Sequence, residues 1–313
     1  MAKFRVVLLD RPAWFVPAIE QEELARIDAE VLVGWARLGQ SKALDPVYAS
    51  LVLPIEELSR ISISYVPRAR HTTEVIGRMA SDADAILVTS APVTAEILDR
   101  LPRLRVVGRP GIGYDVVDVE AATARGVAVF SAPGFCAREV AGRARAFGFR
   151  LLAHDPFVEP SAALACGVSL VGLDELLARS DIVSVHAPLM KSTFHLLGER
   201  EFALMKPTAC VINTARGPVI DQAALIAALT AGGIGGAGLD VFEQEPLEAD
   251  SPLLGMENVL LTPHTAGLSD TRQIAVRRRT ADNIARALVG DWPESRDLIN
   301  PQVKGHPRQA RKP

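Results

Sequence analysis

The chain has 313 residues, enough for about two domains at roughly 150 residues each. Hydrophobic residues make up 49% and charged residues 23% of the chain, which excludes the disordered, collagen-like and coiled-coil classes. The formal net charge is −3, so no overall positive field gathers nucleic acid or anionic lipid, and a small neutral or anionic partner fits better.

The predicted elements alternate between short β-branched runs and stretches with helical periodicity. The predicted strands are 6–9, 85–89, 105–107, 127–130, 149–153, 182–186, 210–213, 238–242 and 259–262. The predicted helices are 94–101, 117–125, 138–147, 174–178, 221–231 and 270–288. This alternation predicts βαβ units, and therefore an α/β fold with parallel sheets. The segment 39–70 stays unassigned, and 302–313 is interpreted as a solvated tail.

Cysteine usage and the N-terminus bear on the compartment. The chain has three cysteines and no C-x-x-C pair, which argues against a disulfide framework and against a thiolate metal site. The apolar run 6–9 is too short for a signal peptide or a membrane span. We therefore expect a cytoplasmic protein that has no metal site and binds neither membrane nor nucleic acid.

Two glycine patterns could be mistaken for a nucleotide-binding loop. The G-x-G-x-x-G pattern over 233–238 follows a predicted helix and leads into a strand, whereas a phosphate-binding loop follows a strand and opens a helix. It therefore predicts a helix end and a tight turn. The second pattern, Gly111, Ile112 and Gly113, does follow a strand, but Val116 replaces its third glycine. Its backbone N–H groups could hold a small anion such as a carboxylate.

Three segments, 212–217, 240–246 and 262–267, each follow a predicted strand. Ligands of open α/β sheets bind at the carboxyl ends of the strands. There Arg216 could hold a carboxylate, Glu245 could orient an imidazole, and His264 could act as a general acid and base. Taken singly, Arg216 could instead be in a surface ion pair, Glu245 could be a solvated loop residue, and His264 could be a buried, hydrogen-bonded histidine. Four other histidines are interpreted as structural or surface residues: His71, His154, His195 and His306.

The three segments, in this order, resemble the D-isomer-specific 2-hydroxyacid dehydrogenase family, as do 111–115, 120–126 and Asp155-Pro156. The resemblance covers nearly the whole chain. It implies that Arg216 binds the carboxylate and carbonyl of a small 2-hydroxy or 2-oxo acid, that His264 exchanges the proton, and that Glu245 pairs with His264. It also implies an NAD-dependent oxidoreductase with a flavodoxin-like substrate domain and a Rossmann-like nucleotide domain.

The expected domains are a substrate domain over 1–136, a nucleotide domain over 137–288, a segment returning to the first domain over 289–303, and a disordered tail over 304–313. Asp155 ends a strand where it could accept hydrogen bonds from the adenosine ribose and repel the extra phosphate of NADP, so NAD is expected. His186 either contacts the cofactor or packs at a strand end. The remaining implied contacts are Thr214, Ala215 and Asp240 for the cofactor, and Gly111, Ile112 and Gly113 for the substrate.

The chain departs from the family pattern after Cys136. In the family, the segment resembling 132–136 leads into an interdomain helix, a first nucleotide-domain strand and a glycine-rich loop, and only then comes the helix resembling 138–148. Here Cys136 runs directly into Ala137, so we expect those three elements to be missing. Family members commonly dimerise through that helix, which leaves a homodimer open. A βαβ unit over 127–153 could replace the missing strand and loop, with Gly134 in a phosphate-binding turn that has one glycine.

Two further hypotheses follow. Residues 134–136 and the N-terminal segment resemble the C-terminal-binding-protein branch of the family, whose members dock protein partners in response to NAD. The chain could also be an inactive, truncated homologue of the dehydrogenases.

Overall fold

The computed structural model describes residues 4–10, 18–33, 71–133, 137–267, 270–293 and 296–308, so the segment 39–70 and Gly134 lie outside the described residues. The strands are β1 Phe4–Leu8, β2 Ala29–Val33, β3 Ala85–Leu87, β4 Val106–Gly108, β5 Ala128–Phe130, β6 Leu151–Ala153, β7 Val168–Leu170, β8 Ile182–Val185, β9 Cys210–Asn213, β10 Gly236–Leu239 and β11 Val259–Leu261. The helices are α1 Ala18–Ala25, α2 Thr73–Ala80, α3 Ala95–Arg100, α4 Val119–Ala124, α5 Ala137–Ala146, α6 Pro160–Ala165, α7 Leu173–Arg179, α8 Glu199–Leu204, α9 Gln222–Thr230 and α10 Asp270–Val289. Among these described helices, none has the length and apolar character needed to cross a membrane.

The chain forms two compact units, and the first comprises Met1–Phe135 with Leu268–Pro313. Its five-stranded sheet has the order β2-β1-β3-β4-β5 with every pair parallel, which is the flavodoxin-like order. Successive side chains of a strand point to opposite faces, so Val6 and Leu8 enter one hydrophobic cluster and Val7 enters another. The sheet is therefore buried on both faces, as the apolar strand sequences require. The predicted α/β fold with parallel sheets is confirmed.

Helix α10 belongs to this first unit rather than to a nucleotide domain ending at 288. Its apolar residues Ala281, Ile284 and Leu288 are buried in the same cluster as β1 and β5. A β-carbon on Gly108 of β4 would lie 2.6 Å from the Ile284 side chain, so Ile284 packs directly on the backbone of β4. The sequence pattern predicts the bounds of this helix. It does not predict which sheet the apolar face of the helix covers, because that depends on tertiary packing.

The predicted solvated tail is also wrong for its first residues. A short 3-10 helix spans Pro301–Gly305, and Val303 within it is buried. The backbone N–H of Arg308 donates to the carbonyl of Gly126 at 2.8 Å, and its guanidinium donates to the carbonyl of Leu101 at 3.1 Å. Residues 301–308 therefore pack on the first unit, while 309–313 lie outside the described residues.

The second unit, Cys136–Gly267, contains two separate parallel sheets. The larger has the order β11-β10-β9-β8, and the smaller pairs β6 with β7. One face of the larger sheet carries the buried Val183, Val211 and Leu239, which pack in one cluster with residues of α7, α8 and α9. On the other face Ile182 is 45% and Leu260 is 71% exposed. The larger sheet is thus covered on one face, unlike the first unit's sheet.

The substitute βαβ unit over 127–153 is wrong. Strand β5 is the edge strand of the first unit's sheet, while β6 pairs with β7 in the second unit. Because the two strands belong to different sheets, helix α5 does not connect neighbouring parallel strands. Within the described ranges, β8 pairs with β9 alone, and no strand joins the smaller sheet to the larger one.

The end of helix α9 confirms the interpretation of the first glycine pattern. Asp221 caps the start of the helix, where its carboxylate accepts a hydrogen bond from the N–H of Ala224. Gly232 follows the helix with φ of +66°, a conformation that favours glycine, and β10 begins at Gly236. The pattern over 233–238 therefore forms a helix end and a turn into a strand.

Candidate active site

The turn after β9 places Arg216. The side-chain oxygen of the buried Asn213 accepts from the N–H of Ala215 at 3.0 Å, and its amide nitrogen donates to the carbonyl of Arg216 at 2.9 Å. These two bonds close the turn, so the backbone around Arg216 is held by the last residue of the strand. The Arg216 guanidinium also donates to the carbonyl of Ala215 at 2.7 Å.

A buried carboxylate at the end of β10 holds the loop that carries His264. Asp240 accepts from the Thr262 hydroxyl at 2.6 Å and from the N–H groups of Thr265 and Ala266 at 2.7 and 2.9 Å. The N–H of His264 donates to the Asp240 carbonyl at 2.8 Å, and His264 has φ of +55°, which is uncommon for a residue with a side chain. Asp240 therefore shapes this loop, and its predicted contact with NAD stays a prediction.

The imidazole of His264 and the carboxylate of Glu245 are hydrogen-bonded. His264 Nδ1 lies 2.9 Å from Glu245 Oε2, and Glu245 Oε1 accepts from the N–H of Phe242 at 3.3 Å. The two side chains are 47% and 39% exposed, so a small molecule can reach them. A carboxylate that fixes one ring nitrogen selects the tautomer and orientation of the imidazole. This arrangement suits transfer of a proton to and from a bound molecule.

Several groups act together on the pKa of Glu245. Partial burial raises it, but the hydrogen bond and the charge of His264, the N–H of Phe242 and the charge of Arg216 outweigh the burial. The net result is a pKa below the ordinary 4.5, so the carboxylate stays ionised beside the imidazole. Arg216, Glu245 and His264 therefore interact within one unit of the fold.

We expect a carbon-13 NMR titration to find the pKa of Glu245 below 4.5 and to find it raised in His264→Ala, which removes the strongest lowering influence. A lowered pKa means that the ionised carboxylate stabilises the fold fully above pH 4.5, and that this contribution is lost as the pH falls through the lowered value. Because Glu245 is more than a third exposed, that contribution is at most about 1 kcal/mol. A pKa at or above 4.5 in the unmodified chain would contradict this electrostatic account.

Sequence reasoning missed Gly217. A β-carbon on this residue would lie 1.8 Å from the carbonyl oxygen of Phe242 and 2.5 Å from the nitrogen of Glu243. The turn after β9 therefore touches the loop after β10 backbone to backbone, which brings Arg216 near Glu245. A glycine in a strand-to-helix connection is a weak signal by itself, because many such glycines serve only a turn.

Gly217→Ala is expected to lower the free energy of unfolding by about 1–3 kcal/mol, because the added methyl group overlaps fixed backbone. Denaturant unfolding measures this change. Gly142→Ala is the matched control, since that glycine lies in α5 with no neighbouring atom within 4 Å of an added β-carbon. Equal stability of the two variants would show that the loops do not require this contact.

The comparisons with known proteins identify the family of the chain. The family described as D-isomer specific 2-hydroxyacid dehydrogenase, NAD binding domain, matches residues 118–266. A glyoxylate reductase of Korarchaeum cryptofilum is 33% identical over 321 residues, covering 82% of this chain and 96% of the reductase. The chain belongs to the D-isomer-specific 2-hydroxyacid dehydrogenase family. It is therefore an NAD-dependent 2-hydroxyacid oxidoreductase, and NAD is its cofactor.

Two further matches are a longer relative and a solved structure with the same fold. A D-3-phosphoglycerate dehydrogenase of Methanocaldococcus jannaschii is 31% identical over 307 residues, covering 80% of this chain but 58% of that enzyme, so this chain spans less than two thirds of it. A crystal structure of D-lactate dehydrogenase from Aquifex aeolicus, with NAD and lactic acid, matches with a TM-score of 0.69 and 23% identity, over 94% of this chain and 99% of that one. The two-domain α/β fold of these dehydrogenases is therefore shared.

The residues predicted to hold NAD follow strands β6, β8 and β9, and their contacts with NAD stay predictions. Asp155 follows β6, is exposed, and accepts from the N–H of Phe157 at 2.9 Å. His186 follows β8 beside the hydroxyl of Ser184 at 2.9 Å, and its protein surroundings lower its pKa because they disfavour the charged imidazole. Thr214 and Ala215 lie in the Arg216 turn. Among the described connections from strand to helix in the second unit, none carries the G-x-G-x-x-G turn that cradles a diphosphate.

In the first unit, one of the backbone N–H groups predicted to hold the substrate already has a hydrogen-bond acceptor within its own segment. The N–H of Gly111 donates to the carbonyl of Arg109 at 2.8 Å, so it is not the open donor that the sequence predicted. The reason is local, since the chain turns sharply between residues 109 and 111. Ile112 is 41% exposed, and the substrate contacts of Ile112 and Gly113 stay predictions.

Proposed function

We propose that this chain reduces a small 2-oxo acid to the D-2-hydroxy acid, with Arg216, Glu245 and His264 as the residues that act on the substrate. The 2.9 Å hydrogen bond between His264 and Glu245 carries the proposal, because it orients an imidazole at the carboxyl ends of parallel strands. The lowering effect of the Arg216 charge on the Glu245 pKa adds support, since it places a carboxylate-binding cation nearby.

Each residue has one part in the reaction. Arg216 binds the substrate carboxylate and carbonyl oxygen, because a guanidinium matches two oxygen acceptors in one plane. His264 donates its proton to the carbonyl oxygen during reduction and takes it back from the hydroxyl during oxidation. Glu245 stabilises the protonated imidazole between these steps. The hydride for the carbonyl carbon would come from NADH when the cofactor is bound.

We also propose that this chain binds NADH weakly, because part of its nucleotide site is missing. The separate β6–β7 sheet and the β8 edge that has no second partner among the described strands support a missing strand. The alignment lengths support it too, since the match to the glyoxylate reductase runs over 321 residues but covers 82% of 313, about 257 residues of this chain. The alignment therefore contains positions that the reductase fills and this chain leaves as gaps.

Glyoxylate is a suitable first substrate, since a glyoxylate reductase matches this chain over 96% of the length of the reductase. The cysteine composition favours the cytoplasm, where thiols stay reduced. A homodimer remains a prediction. The protein-docking alternative requires that the chain bind NAD without turning over an acid.

An NADH-oxidation assay with glyoxylate, pyruvate and hydroxypyruvate tests the proposed reaction. We expect slow turnover with at least one acid at high NADH. Lys206→Met is a suitable control, because this residue makes a surface ion pair with Asp181 in the same unit. Absence of turnover with all three acids at saturating NADH would contradict the proposal and favour the docking or inactive alternatives.

A further inference from the structure

A second histidine of the same unit lies between two carboxylates. His195 Nε2 lies 2.7 Å from Glu243 Oε1, and His195 Nδ1 lies 3.6 Å from Asp221 Oδ2. About one third of each of these three side chains is exposed. The sequence analysis interprets His195 as a structural or surface residue, and the two carboxylates lie 26 and 48 positions away from it in the chain.

The backbone at His195 has an unusual conformation that its neighbours hold. Its φ is +52°, which few residues other than glycine adopt and which tends to occur where surrounding contacts enforce it. The N–H of His195 donates to the carbonyl of Pro218 at 2.9 Å, and the N–H of Leu197 donates to the carbonyl of Val219 at 3.2 Å. The segment 195–197 therefore runs beside 218–221, the stretch that directly follows Arg216 and Gly217.

The carboxylate of Glu243 links this segment to the loop of Glu245. Glu243 Oε1 accepts from the N–H of Gln222 at 3.2 Å as well as from His195, and the N–H of Glu243 donates to the Gln222 side chain at 3.3 Å. Glu243 precedes Glu245 by two residues and contacts the Gly217 backbone. The side chain of His195 thus lies at the junction of the Arg216 turn and the Glu245 loop.

A metal ion is the alternative occupant, since ligand atoms from His195, Asp221 and Glu243 lie within 4.8 Å of one another. The two carboxylates, however, face different nitrogens of one imidazole, and those nitrogens direct their lone pairs or protons away from each other. Asp221 also uses Oδ1 to cap helix α9. The geometry therefore fits an imidazole held between two carboxylates better than three ligands converging on one ion.

We infer that His195 is a positioning residue for the proposed reaction: through Glu243 it holds the loop that carries Glu245 at the distance from His264 that proton transfer needs. This inference rests on the proposed roles of Glu245 and His264. It predicts that removing the imidazole loosens Glu245 without removing any group that touches the substrate. The effect should therefore fall on the chemical step more than on substrate binding.

The test measures the Glu245 carboxyl by carbon-13 NMR in the 313-residue chain, without NADH, so it does not depend on turnover. His195→Ala should raise the pKa of Glu245 by about 0.5–1 unit, because the groups that lower it lose their alignment. His195→Gln can still donate an N–H to Glu243 and should restore most of the original value. The surface variant Lys206→Met should leave it unchanged.

Where turnover is measurable, His195→Ala should lower kcat by about 10- to 100-fold with KM changed less than about threefold, and His195→Gln should recover part of kcat. If His195→Ala does not fold, Glu243→Ala takes its place, because it removes the carboxylate that accepts from His195 and should cause the same losses. An unchanged Glu245 pKa in both folded variants would overturn the inference. Stoichiometric binding of zinc chloride at micromolar concentration that His195→Ala abolishes would overturn it in favour of a metal site.

Discussion

His264→Ala is expected to lower the rate of NADH oxidation by about 10²–10⁴-fold, the usual range for loss of a general acid and base. The alanine has no proton to give to the substrate carbonyl, while Arg216 still binds the substrate carboxylate. The fall should therefore appear mainly in kcat, with KM for the 2-oxo acid changed little. Steady-state kinetics at high NADH measure both constants.

The control for this variant is His306→Ala, which removes an exposed imidazole of the first unit and keeps the hydrogen bond from the His306 N–H to the carbonyl of Val303. It should retain the rate of the unmodified chain. A His264→Ala variant that keeps its fold and its full rate would exclude His264 from proton transfer. The hydrogen bond to Glu245 would then be only structural.

The second large effect concerns NADH. We expect this chain to bind NADH at least tenfold more weakly than the Korarchaeum cryptofilum glyoxylate reductase, which it matches over 96% of the reductase. One exposed helix N-terminus stabilises a bound anion by roughly 0.3–1 kcal/mol. Each backbone hydrogen bond to a charged group contributes about 1.5–3 kcal/mol, so losing even one of them exceeds the 1.4 kcal/mol that corresponds to tenfold.

A fluorescence titration of NADH into the purified chain, with its intact mass checked, measures this affinity beside that of the reductase. Comparable dissociation constants for the two proteins would show that this chain has a working diphosphate site. That result would contradict the proposed loss of the strand and the glycine-rich loop.

Much of the fold could be predicted because local signals and tertiary packing agree. Asp221 and Gly232 mark the ends of α9 by capping and by a positive φ, both of which depend on residues close in sequence. The sequence analysis predicted no element at strands β2 and β7 or at helices α1, α2, α6 and α8. For β7 and α6 the reason is that 168–170 and 160–165 are short and have no clear apolar periodicity. Helix α10 was found, but which sheet it covers depends on residues far away in the chain.

The candidate site divides in the same way. The order of Arg216, Glu245 and His264 after three strands was visible, because parallel strands end at one edge of a sheet. The sequence does not predict that Asp240 holds residues 262–266, because its hydrogen-bond partners lie more than twenty positions away. The same holds for His195 and Glu243, which are 48 positions apart. Such contacts follow from the packing of loops, and no local pattern predicts them.

The most direct measurement is the initial rate of glyoxylate reduction by the 313-residue chain as NADH is raised, with glyoxylate in excess. The proposed proton transfer by His264, together with the proposed loss of part of the nucleotide site, predicts a low rate that increases in proportion to NADH through the micromolar range and is lost in His264→Ala. A rate that saturates at micromolar NADH, or one that His264→Ala leaves unchanged, would contradict the account.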